Sequence, residues 1–181
     1  MSKSKSKPKI RIDYGLNDCY QLFDKLKYDG ERLLKGHHPY DFFNFIVTAY
    51  HLLKDWIKND YLKRPKYACK KVERSRQRYP EIDLLLNLID DIANGSKHFY
   101  KKDPRLENIE ICPPEIRSWS AYFRNQPMIY VSTNGYFFSS MTLHSIIMKY
   151  VAWIFDDDLG LEPPKDLLDL IKKCKIEDPK A

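Results

Sequence analysis

The sequence predicts a mainly α protein, a helical bundle carrying a small antiparallel β insertion at about residues 106–138. Three observations lead there. Between residues 14 and 99 apolar side chains recur at the three- and four-residue steps of amphipathic helices. After Lys102 that pattern gives way to alternating and β-branched stretches. Asn134-Gly135 then supplies a hairpin signal, because a type I′ turn needs positive φ at both central positions. With 181 residues, one domain over 14–175 is expected, between a basic tail at 1–13 and a short tail at 176–181.

The opening "MSKSKSKPKIRID" is low-complexity Ser/Lys, too polar to bury a core, and is expected to be disordered. From Tyr14 to Lys35, Leu16, Tyr20, Phe23, Leu26, Leu33 and Leu34 outline a first helix, with Gly36 as its stop. Pro39 and Asp41 open a second, to about Tyr61. Its apolar surface, from Phe42 to Ile57, is too wide for one neighbour, so this helix should be central and Trp56 buried. Its polar residues Asn44, Thr48, His51, Asp55 and Asn59 step by 4, 3, 4 and 4 and form one stripe.

Residues 63–78 are read as a third, weakly amphipathic helix. Pro80 starts a fourth, to about Phe99, with Asp83, Asn87, Asp90, Asn94, Lys97 and His98 as a second polar stripe. After the β insertion, Ser139 or Ser140 caps a helix to about Phe155. Pro163 or Pro164 opens a last short one.

The net charge of +6 is unevenly placed. Residues 1–11 hold five cations, and residues 63–78 hold eight against Glu73 alone, so the rest of the chain is net acidic. Concentrated cations of this kind attract phosphate or an acidic partner. Lys70, Lys71, Arg74 and Arg78 are the candidate nucleic-acid contacts, through counterion release, with Tyr67 and Tyr79 available for stacking. A solvated helix face is the plainer reading of the same residues. No apolar run approaches the length of a membrane span and no apolar segment follows the basic N-terminus, so neither membrane nor secretory signal is expected. The four cysteines are scattered, with no CxxC, which suits reduced thiols in a cytoplasmic protein.

Chemistry concentrates in the two stripes. His51 and Asp55 are i,i+4, so imidazole and carboxylate can meet on one face. Were the stripes to face each other, Lys97, His98 and Asp90 or Asp91 would join them, with Gly95 letting the helices approach closely. Imidazole plus carboxylate binds a transition metal or moves protons, and the residues leave metal and cofactor open. Against this stand a solvated helix face and a buried polar network that sets helix register.

The stretches "DFFNFIVTAYHLLKDW" and "LLNLIDDIANGSKHF" resemble the paired motifs of a family of small uncharacterised bacterial and phage-borne proteins. Its helical arrangement is similar to HEPN-like bundles, and the likeness covers roughly residues 15–155, including the late Trp153. The positions matched are Thr48, His51, Asp55, Trp56, Gly95, Lys97 and His98, with extra residues here between the apolar positions of the first motif. The resemblance implies a shared site, with His51, Asp55, Lys97 and His98 as its candidate catalytic residues, and brings no activity with it. "RLLKGH", with Arg32 and His37, is similar to the Arg/His motif of HEPN ribonucleases, whose side chains act on the RNA 2′-hydroxyl and phosphate. Here it ends the first helix, where that family places it on a late one, and a surface Arg beside a loop His is the preferred reading. Two functions follow as expectations. One is a HEPN-like protein that binds RNA or DNA, or cleaves RNA, in phage–host conflict. The other is a non-catalytic interaction module, with a protein partner or a homodimer and a structural polar network.

Overall fold

A computed structural model describes residues 16–36, 38–59, 63–95, 110–115 and 128–176. They form a mainly helical protein with a small antiparallel sheet. Helix α1 spans Cys19–Gly36 and α2 spans Pro39–His51. The α2 axis continues through a π turn, Leu52–Trp56, into a last helical turn, Ile57–Asn59. Then come α3 (Ala68–Arg78), α4 (Pro80–Gly95), the strands β1 (Glu110–Glu115), β2 (Met128–Thr133) and β3 (Tyr136–Ser139), α5 (Ser140–Phe155) and α6 (Lys165–Lys172).

The helix ends follow their local chemistry. Pro39 sits in the first turn of α2, where its missing N–H costs nothing, and the His38 imidazole accepts from Tyr40 N at 3.2 Å. Ser139 caps α5, its hydroxyl accepting from Thr142 N at 3.1 Å. Asn134 and Gly135 both have positive φ, 46° and 75°, and join β2 to β3 in the expected tight hairpin. The sheet order is β1-β2-β3, with a register shift between Cys112 and Glu115. The outer edge of β3 is covered by the chain after α6: Phe137 N donates to Cys174 O at 2.8 Å and Ile176 N to Gly135 O at 2.7 Å. Ile176, expected in a free tail, is thereby tied to the sheet.

As expected, α2 is central: it packs against both α1 and α4. Phe45, Ile46 and Ala49 are fully buried there. The π turn corrects the reading of its second half. A regular helix carries the buried stripe from Leu52 to Trp56, four residues on. In the π turn Ile57 N–H bonds Leu52 O five residues back, and Ile57, 1% exposed, takes the core position. Trp56 is rotated outward and is half-buried. The third helix also starts later than the charge pattern suggested, at Ala68.

Among the glycines of the described residues, Gly30 is the one at which neighbouring helices leave no room for a Cβ. A Cβ there would lie 2.6 Å from His144 Nε2 of α5 and 3.3 Å from Phe45 Cε2 of α2. The imidazole is held against the Phe45 ring, centroids 5.0 Å apart, and burial pushes its pKa below the ordinary histidine value. Alanine is about 1 kcal/mol the better helix former. The clash outweighs that, so Gly30→Ala is expected to lower stability by about 1–3 kcal/mol in urea unfolding. In a His144→Ala background the same change should be neutral or stabilising. A gain in the parent protein would show that the ring moves aside freely.

Candidate functional site

The first expected contact forms. His51 Nδ1 lies 2.9 Å from Asp55 Oδ2, across the start of the π turn. Both side chains are half-exposed, at 38% and 47%. The Tyr50 ring meets the imidazole edge-on, with centroids 5.1 Å apart. Lys97 and His98, the other two candidate catalytic residues, lie outside the described residues.

The rest of the α4 stripe goes elsewhere. Asn94 Nδ2 donates to Asp90 Oδ1 at 2.6 Å, and the same oxygen accepts from Lys54 Nζ at 3.0 Å. Among the described residues the link from α4 to the π turn therefore runs through Lys54, not through His51 and Asp55. Partial burial draws the Lys54 ammonium down, but hydrogen bonding to Tyr50 and Asp90 outweighs it and its pKa is raised. One turn earlier on α4, Asp83 and Asn87 take the Arg76 guanidinium at 2.7 and 2.6 Å. Gly95 is exposed and a Cβ there would meet nothing within 4 Å among the described residues, so none of them makes the close approach expected at that glycine.

Thr48, expected in the α2 stripe beside His51, is buried against α1 instead of sharing the solvent-open position of His51. Its hydroxyl donates to Asp29 Oδ2 at 2.7 Å, and Lys25 Nζ reaches both groups, at 2.5 and 2.7 Å. Sequence reading missed this cluster, although the i,i+4 spacing of Lys25 and Asp29 marks the pair. Arg32 is engaged by Asp41 at 2.9 Å, while His37 lies outside the described residues.

The four candidate nucleic-acid contacts divide. Lys71 is fully buried: its Nζ donates to Trp153 O at 2.8 Å and to Asp156 O, at the end of α5, and sits 5.2 Å from the Trp153 ring centroid. That places it in the interior, where it cannot meet a phosphate backbone. Burial lowers its pKa, opposed by Asp156 and Asp157. Arg74 and Arg78 both bind Glu162, with Nε and Nη1 contacts of 2.9 and 2.8 Å. Arg74 Nη2 donates to the same carboxylate, and the Tyr79 hydroxyl donates to its other oxygen at 2.5 Å. These donors, Tyr79 first and then Arg74, hold the Glu162 carboxyl below its usual range. Lys70 is exposed on the same helix.

Beside the Lys54–Asp90 link lies a groove between the π turn, α3 and α4. It consists of two clefts, of about 180 and 300 Å³, which share Leu53, Lys58, Val72 and Arg76. The smaller adds Tyr50, Lys54, Leu86, Ile89 and Asp90, and the larger adds Ile57, Cys69 and Glu73. Lys58 had no distinguishing mark in the sequence, since only the π turn and the packing of α3 put it at this place.

Among the described residues no three His, Cys, Asp or Glu side chains gather as a metal site. His51 and Asp55 are a pair of donors. No helix among the described residues is long and apolar enough to cross a membrane. These features define a mainly α protein with a small antiparallel sheet, an imidazole–carboxylate pair at a π turn and a cation-rimmed groove beside it. Comparison with family models, with curated proteins and with solved structures gives no match.

Proposed function

We propose that the protein is a non-catalytic interaction module whose polar stripes serve as an internal network. The observation that carries this reading is the pairing of the stripe and basic-segment residues from element to element. Lys54 meets Asp90, Arg76 meets Asp83 and Asn87, Arg74 and Arg78 meet Glu162, and Lys71 closes the end of α5. The Arg74, Arg76 and Arg78 contacts are exposed and hold the elements together only weakly, whereas the buried members, Lys71 and Asp90, define helix register, because mispairing would leave a desolvated group unanswered. Asp90 is the best instance, since its side chain is 7% exposed and is answered by both Lys54 and Asn94.

One observation favours a second reading, a HEPN-like RNA-binding or RNA-cleaving protein. The His51–Asp55 pair is open to solvent at a π turn, a distortion often found at functional sites, and a carboxylate-held imidazole can shuttle protons. A single experiment separates the two. The full chain is incubated with mixed-sequence single-stranded RNA across a range of salt. RNA should stay intact, and Asp90→Asn and Lys54→Met should each lower stability by about 1–3 kcal/mol. Cleavage that His51→Ala abolishes at unchanged Tm would replace the first reading by the second. Binding without cleavage, steeply salt-dependent and weakened by Lys70→Gln, would identify the partner of the module as RNA.

A further inference from the structure

The groove beside the π turn has a division of chemistry that the internal network does not use. Its floor is apolar, formed by Leu53, Val72, Leu86 and Ile89. Its smaller cleft is rimmed by three cations, Lys54, Lys58 and Arg76, against one carboxylate, Asp90. Asp90 is already answered by Lys54 and Asn94. Arg76 uses Nε and Nη2 on Asp83 and Asn87. Lys58, exposed and common to both clefts, has no ion-pair partner among the described residues. In the larger cleft Glu73 is the opposing acid, against Lys58 and Arg76, and the remaining walls are apolar. An apolar lining with a few polar groups is the usual form of a small-molecule site; the larger cleft, about 300 Å³, stands at the bottom of the usual size range, and the smaller, about 180 Å³, extends it along the same groove.

From this we infer that the groove binds a small amphipathic carboxylate. Its head group pairs with Lys58, and with Lys54 and Arg76 as they share their remaining donors. Its apolar chain lies on Leu53 and Val72. A carboxylate suits the site better than a neutral apolar molecule, because such a molecule would cover the Lys58 ammonium and leave it unanswered. The inference is independent of whether the protein is an interaction module or acts on RNA, since it uses neither His51 nor Asp55.

The test is calorimetric titration of the full chain with octanoate and, separately, with 1-octanol. Octanoate should bind saturably at one site and more tightly than the alcohol. Lys58→Gln, at an exposed position that the fold does not need, should weaken octanoate by about fivefold and leave octanol unchanged. Val72→Trp, which fills the place common to both clefts, should abolish binding of both at unchanged helical circular dichroism. If that variant fails to fold, Lys58→Gln decides alone. The inference fails if octanoate does not saturate, or binds no better than octanol, or binds equally to Lys58→Gln. It fails too if a short oligothymidylate binds in a Lys58-dependent way while octanoate gives no heat.

Discussion

Lys71→Ala should lower the stability of the protein by about 3–5 kcal/mol, and Lys71→Met by about 1–3 kcal/mol. The difference follows from what each change leaves behind. Lys71 crosses from α3 to α5 with its whole side chain buried, and its ammonium answers the Asp156 carbonyl and shares the Trp153 carbonyl with the Asp156 N–H, 3.4 Å away, at the end of α5. A cation at a helix C-terminus is favoured by the macrodipole as well. Methionine keeps most of the packed volume and removes the donor. Alanine removes both, and opens a cavity beside Trp153. Urea unfolding measures the two losses. A loss under about 1 kcal/mol for Lys71→Ala would mean that the side chain faces water, as its position in a basic segment first suggested. Lys70→Gln, one residue earlier and exposed, should change stability by less than about 0.5 kcal/mol.

Trp153→Ala should cost about 3–5 kcal/mol, and Trp56→Ala clearly less. Trp153 is 2% exposed, packs at 5.8 Å against the buried Tyr150 ring, and donates its indole N–H to Gly160 O at 3.1 Å. Tyr150 in turn shares a 3.0 Å hydrogen bond with Ser75, so the layer between α3 and α5 loses packing and polar order together. Because Lys71 touches Trp153, the double change Lys71→Ala/Trp153→Ala should cost less than the sum of the single ones. Strict additivity would place the two residues in separate environments. Trp56 gives up only a half-buried ring packed on the core edge.

Most of the helical frame was legible because its punctuation is local. Pro39, Pro80, the Ser139 cap and the Asn134-Gly135 turn act through their own backbones, whatever surrounds them. The apolar stripe of α2 up to Leu53 likewise followed from spacing alone. The pairing of His51 with Asp55 was legible for the same reason: four residues on one helix are neighbours by geometry.

What the sequence by itself determined, then, is which segments are helical and where Pro39, Pro80 and Ser139 start three of them, that a hairpin lies between helices, and which side chains one turn apart can touch; the first and third helices begin later than expected, at Cys19 and Ala68. Only the tertiary structure decided what the polar and basic residues face. The periodic reading assumed 3.6 residues per turn throughout. The extra residue of the π turn rotates everything after it, so of the two expected apolar residues Ile57 stays in the core and Trp56 is left half-buried. Thr48 turned inward because Asp29 and Lys25 of α1 offered it partners. The basic run of α3 has the composition of a phosphate-binding face, yet Lys71 meets the carbonyl end of α5, Arg74 and Arg78 meet Glu162, and Arg76 meets Asp83. Most of these partners lie more than eighty residues along the chain. Charge content is a property of a segment, but the partner that answers a charge is chosen by packing between segments, and no spacing rule within one helix reports it.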